Sequence, residues 1–172
     1  MKILFVFLTI ALCTYGEAHN TYQFQETKMT IYSHSISTGP NATGVTVAGI
    51  PGEHWEILKF GNVYVADEPI KEGISQNSKQ IARCRGLYVT ASRDGETLHA
   101  TYSMRFTDEI YGGSKLEFQG SYGVSDTLRE IPIVGGAGKF RLARGYVIWE
   151  TVQEEPFVER GNITVLHPIL TH

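Results

Sequence analysis

Apolar and polar residues alternate along most of this chain in short runs, and no long stretch repeats its apolar positions at the helical period. The runs are rich in β-branched and aromatic residues and are separated by turn residues. The pattern predicts strands near residues 28–35, 44–48, 62–67, 81–91, 97–107, 114–119, 139–151 and 162–167. Asp94-Gly95 predicts one hairpin turn and Gly112-Gly113 another. Regularly spaced strands with short turns predict an all-β domain, a sandwich or a barrel, and the pattern does not choose between them.

Side chains alternate across a strand, so each run has two readable faces. On the strand that starts near Ile81, the residues Ala82, Cys84, Gly86, Tyr88 and Thr90 share one face. On strand 139–151, one face carries Phe140, Leu142, Arg144, Tyr146 and Ile148, and the other Ala143, Gly145, Val147 and Trp149. Both faces are substantially apolar. One can line an interior; the other then needs a cover, which is either a second subunit or a loop of the same chain.

The stretch Arg129–Tyr146 interrupts this rhythm with Pro132 and the glycines Gly135, Gly136 and Gly138. Proline lacks a donor N–H and suits a strand edge, turn or loop better than a central strand. The glycines do not form a phosphate cradle: Ile133 stands where a P-loop needs glycine, and Phe140 where it needs Ser or Thr. The stretch reads as a tight corner feeding a long strand.

Length and composition fit one globular domain behind a leader. Residues 1–18 read as a secretory signal peptide: Lys2, then the apolar run Ile3–Cys13, then Gly16 and Ala18 at the expected cleavage site. The expectation is a secreted, extracellular domain over 19–172. The leader is too short for a membrane span, and no later segment qualifies. A net charge of −3 gives no electrostatic case for nucleic acid. Removal of Cys13 leaves Cys84 alone, so no internal disulfide is expected, and Cys84 reads as an inert buried thiol. Asn41 and Asn162 begin sequons and are candidate glycosylation sites, Asn41 in a Gly-Pro loop and Asn162 inside a strand pattern.

Recognisable catalytic motifs are absent. The six histidines show no metal-ligand spacing, and there is no Cys-x-x-Cys, Gly-x-Ser-x-Gly or dinucleotide fingerprint. No metal or other cofactor is expected. In Ser33-His34-Ser35, strand geometry puts His34 on the face opposite both serines, so it does not activate them.

Ile133–Arg141 with Ala143–Tyr146 resembles the signature of the plant dirigent family, with Ala137 where that family usually has Thr. In the same order, Ser37–Thr43, Phe60–Val65 with Asp67 and Pro69, Ser78-Lys79 with Arg83–Tyr88, and Phe106-Thr107 with Tyr111–Ser114 resemble further family blocks. The resemblance implies an eight-stranded antiparallel barrel, assembled as a homotrimer, around a cavity for a small phenol. It implies that the protein orients phenoxy radicals made by a separate laccase or peroxidase so that one stereoisomer forms, in lignan or phenylpropanoid biosynthesis. Some legume relatives instead close or dehydrate flavonoid-type substrates through a quinone methide, in the manner of a pterocarpan synthase. A small-molecule-binding defence protein is the third reading.

Carried onto this sequence, the resemblance gives Arg129 and Tyr88 as candidate catalytic residues. It gives Ser35, Asp67, Tyr88, Thr90, Tyr122 and Arg129 as candidate cavity residues. Each has a plainer reading: Tyr88 as barrel filling, Asp67 as a turn stabiliser, Arg129 as a surface partner of Asp126 or Glu130. The chain also departs from the pattern. Lignan-forming members carry a terminal disulfide, which this chain lacks. Pinoresinol-forming members have Asp where this chain has Ser35 and Tyr122. Neither side chain replaces a carboxylate as a proton acceptor near neutral pH, so the expectation is a phenol other than coniferyl alcohol.

Overall fold

The computed structural model describes residues 23–169. It is nearly all β: β1 (Phe24–Ser35), β2 (Gly44–Ala48), β3 (Val63–Lys71), β4 (Gln80–Thr90), β5 (Thr97–Phe106), β6 (Lys115–Gly123), β7 (Arg129–Ala137), β8 (Arg144–Gln153) and β9 (Phe157–Pro168). One 3₁₀ turn, Gly138–Phe140, lies between β7 and β8. The sheet runs β1-β9-β8-β7-β6-β5-β4-β3-β2 and is antiparallel throughout, and β1 pairs back onto β3 through Tyr32↔Lys71 and Ser33↔Ile70. That last pairing closes an eight-stranded barrel and leaves no free edge in the ring. Both predicted hairpin turns occur, joining β4 to β5 and β5 to β6.

The eight staves are not the eight predicted strands. Strand β2, read as a stave, lies beside β3 outside the closed ring. Strand β7 is a full stave where the sequence suggested a corner. Pro132 is tolerated because β7 divides its partners. Its first half, Arg129–Ile133, pairs with β8, whereas its pairing with β6 begins only at Ile133. On that unpaired side the proline ring lies over Gly120, where an added Cβ would come within 2.8 Å of Pro132 Cδ. The missing N–H therefore costs no ladder bond.

Strand 139–151 also begins differently. The chain makes its 3₁₀ turn and passes Leu142 at a φ of 60° before β8 starts. This breaks the alternation: Phe140 is wholly buried, while Leu142 and Tyr146 stay exposed on the outside. Val147 and Trp149 share one face, as the alternation predicted, and the structure makes that face the inward one.

The interior has two halves. At one end Ile31, Ile70, Met104, Phe106, Leu116, Phe118, Phe140, Val147, Ile163 and Val165 fill the barrel. Burial of each such side chain contributes about 1.5–3 kcal/mol. At the other end the side chains do not meet across the axis. An aromatic row on adjacent staves, Tyr64, Tyr88, Tyr102 and Phe118, has centroids 6.3, 6.1 and 4.7 Å apart. Trp149 donates from Nε1 to the Tyr102 hydroxyl at 2.9 Å. Tyr64, Tyr88 and Trp149 of this layer line a cavity.

Candidate functional site

The cavity measures about 660 Å³ and opens at one end of the barrel. That volume lies in the usual range for a small-molecule site. Its walls are aromatic and aliphatic: Tyr64, Tyr88, Leu98, Tyr122, Ile131, Trp149 and Phe157. The segment between β2 and β3 brings Glu56 and Ile57 to the mouth. Asn62 holds it there by donating to the Glu56 carbonyl at 2.7 Å, as does the Thr90 hydroxyl by donating to that of Ile57.

Besides Glu56 at the mouth, two carboxylates lie deeper in the wall, and neither was among the candidate residues. Glu68 on β3 accepts hydrogen bonds from the Ser33 hydroxyl at 2.9 Å and the Ser35 hydroxyl at 2.6 Å. Glu159 on β9 accepts from Arg129 Nη2 at 2.7 Å. Arg129 Nη2 also donates to Thr151 Oγ1 at 2.9 Å, and Nη1 to the Asp126 carbonyl at 3.0 Å. Burial pushes the Glu159 carboxyl above its ordinary value; the Arg129 guanidinium opposes this, and the nearby charge of Glu68 adds to it. Burial likewise pushes the phenols of Tyr88 and Tyr122 upward, so both stay protonated hydroxyls across the neutral range.

The predicted site residues divide. Ser35, Tyr88, Tyr122 and Arg129 all line the cavity. Thr90 is buried above it, engaged with Ile57, and does not line it. Asp67 is outside the barrel, and it is not a turn residue either. It sits within β3 on the outer face, where its carboxylate takes Arg83 and Arg85. Glu68, one position along, is the inward residue. His34 faces away from both serines, with Nε2 3.0 Å from the Gly73 carbonyl oxygen, as alternation predicted. Cys84 is buried in the cavity wall beside Glu68's strand, and burial raises its thiol well above the ordinary value.

The lack of carboxylates at 35 and 122 therefore does not leave the cavity without them. The signal for Glu68 was present in the alternation of β3, since Ala66 and Ile70 on either side are core residues. The signal for Glu159 required starting β9 at Phe157 rather than at 162. Among the described residues, no three His, Cys, Asp or Glu side chains are grouped to hold a metal ion. Asn41 is exposed in its loop, whereas Asn162 accepts from Thr30 Oγ1 at 3.0 Å within the β1–β9 ladder. The proposed leader lies outside the described residues, and no helix among them is long and apolar enough to cross a membrane.

The sequence matches the Dirigent-like protein family over residues 26–166. It is 34% identical over 148 residues to pterocarpan synthase 1 of Glycyrrhiza echinata, covering 83% of this chain and 79% of that protein. It is 37% identical over 127 residues to Dirigent protein 11 of Arabidopsis thaliana, covering 73% of this chain and 65% of that protein. The solved structure of a pterocarpan synthase dirigent protein superposes with a TM-score of 0.78 at 29% identity, over 90% of this chain and 92% of that one. The matched segment begins in β1 and ends in β9, so it takes in every strand of the closed ring and every side chain of the cavity wall. The chain belongs to the dirigent family.

Proposed function

We propose that the barrel binds one phenolic molecule in its cavity and catalyses stereoselective ring closure of that molecule through a quinone methide, without an oxidant. The observation that carries this reading is the Arg129–Glu159 pair in an aromatic wall. Burial favours the protonated form of Glu159, which suits it to give a proton to a departing hydroxyl. The carbon–oxygen bond breaks, water leaves, and the ligand becomes an electrophilic quinone methide that keeps the phenol's own proton on its carbonyl oxygen. Arg129, with fixed donors, holds a phenolic oxygen and balances the charge left on Glu159. The aromatic walls hold one face of the ring toward the attacking oxygen. The similarity to pterocarpan synthase, by sequence and by structure, supports the same reading.

Orientation of two phenoxy radicals made by a laccase or peroxidase is the second reading. The open mouth and a volume of about 660 Å³ favour it, because two single-ring phenols fit such a space. In both readings the protein is secreted to the apoplast and carries a glycan at Asn41. It assembles as a homotrimer through its exposed apolar outer face, where Val134, Tyr146 and Leu166 stand on adjacent strands.

The deciding experiment incubates the purified protein with flavonoid-type phenols bearing a benzylic hydroxyl, with and without laccase. Products are separated by chiral chromatography and weighed by mass spectrometry. A single enantiomer formed with loss of water and without laccase is the expected result. Chirality only with laccase would support the second reading, and binding without product would support a carrier.

A further inference from the structure

Ser33 and Ser35 are two residues apart on β1, so both hydroxyls point into the barrel. Glu68 reaches them from β3, across the seam where β1 and β3 close the ring. Each serine engages a different carboxylate oxygen: Ser33 bonds Oε2 and Ser35 bonds Oε1. A carboxylate held at both oxygens has a fixed plane, and the lone pairs that remain point into the cavity. Ser33 is also the ladder partner of Glu159 on β9. The serines therefore stand between the two carboxyls, and no cation is within bonding distance of Glu68 among the described residues. A structural salt bridge would bring one. This environment differs from that of Glu159, which has Arg129. Two carboxyls in one cavity with unlike surroundings suit opposite proton roles.

We propose that Glu68 is the catalytic base of this cavity, that it takes the proton of the phenol which closes the ring, and that Ser33 and Ser35 are its positioning residues. The inference rests on the acid–base reading of the cavity given above. As the phenolic oxygen attacks the quinone methide carbon, a carbon–oxygen bond forms. The O–H bond of that phenol breaks, and its proton passes to Glu68. Glu159 has already given its proton to the water that left. One proton moved from Glu68 back to Glu159, through the serine hydroxyls or water, restores the site. The sum is substrate to product plus water, with no electrons gained or lost. The substrate class this arrangement takes has a leaving hydroxyl near Glu159 and a free phenol near Glu68 in the same molecule.

The test uses the full mature protein and the phenol on which the wild type is active without laccase. Glu68→Gln keeps size and hydrogen-bonding shape, so it should bind that phenol with a Kd within about threefold of wild type, yet lose about 100-fold or more in kcat, the scale of a lost general base. Glu68→Ala with added formate should recover turnover in proportion to formate, because the small carboxylate enters the vacated space. Ser33→Ala with Ser35→Ala should lower kcat about tenfold at unchanged KM. Wild-type turnover in Glu68→Gln, or loss of ligand binding and turnover together with no formate rescue, overturns the assignment of Glu68 and leaves the function reading standing. A wild type that forms product from no phenol without laccase overturns both.

Discussion

Arg129 on β7 and Glu159 on β9 are thirty residues apart in the chain, yet guanidinium and carboxylate meet at 2.7 Å. Strand β8 lies between them and contributes Thr151, bonded to the same Nη2 at 2.9 Å. Three neighbouring staves thus supply one polar group each. Both charged side chains are mostly buried, at 12% and 23% exposure. Removing one partner leaves the other group with little water, which costs about 3–5 kcal/mol for a buried pair. Arg129→Met should lower the urea-unfolding free energy by that amount, and Arg129→Met with Glu159→Gln should recover more than half of it. Equal stability of Arg129→Met and wild type would show the pair contributes nothing.

The carboxyl of Glu159 makes stability depend on pH. Its folded-state value lies above the ordinary 4.5, so between the two values the folded protein binds more protons than the unfolded chain. The stabilisation from protonating this group is complete below the unfolded value and is lost as pH rises through the folded one. The stability of wild type relative to Glu159→Gln should therefore fall as pH is raised upward from 4.5. Chemical denaturation at stepped pH measures it, and a rising difference would contradict the burial argument.

Ser35→Asp is predicted to harm this protein, although it restores the residue found in pinoresinol-forming members. The Ser35 oxygen is 2.6 Å from Glu68 Oε1, so a second carboxylate there would face the first without a cation. One of the two must then keep a proton or both must move apart. A loss of about 1–2 kcal/mol lowers Tm by about 2–8 °C in a domain of this size. Ser35→Asp combined with Glu68→Gln should regain most of the loss, a coupling that a double-mutant cycle reads directly. Additive losses would mean that the two side chains do not interact.

Asp67 gives the opposite case. Burial by itself pushes its carboxyl up, but hydrogen bonds from Arg83 and Arg85 outweigh this and hold it below the usual range. The group is half exposed on the outer wall, so its ion pairs are worth about 0.2–1 kcal/mol and are screened by salt. Asp67→Asn should leave turnover within about twofold of wild type, in contrast to Glu68→Gln. Matched losses in the two variants would place Asp67 in the site after all.

Expression in plant cells should yield an apoplastic protein lacking residues 1–18, whose mass falls on deglycosylation. Asn41→Gln should abolish the shift, because Asn41 is exposed in a turn while Asn162 is engaged with Thr30 in a ladder. Light scattering of the mature protein should give three times the chain mass. An intracellular product with its N-terminus intact, or a monomer at micromolar concentration, would remove these expectations.

Alternation along the chain determined most of the staves and their inward faces, since a residue's side of a strand follows from parity alone. It was enough to put Cys84 and Tyr88 on one wall and His34 opposite its serines. Turn chemistry located the hairpins for the same local reason. Closure, by contrast, depends on which distant strands pair. Only the tertiary structure joined β1 to β3, made β7 a stave despite Pro132, and set β2 outside the ring. It also decided which polar residues form the site. A one-residue difference in parity separates Glu68 in the cavity from Asp67 in solvent, and strand ends are where local signals are weakest. Glu68, Tyr122 and Glu159 all lie in strand ends the pattern cut short, because a cavity needs polar residues where a packed core would need apolar ones, and such residues weaken the alternation by which a strand end is read even where, as around Glu68, its apolar neighbours keep it.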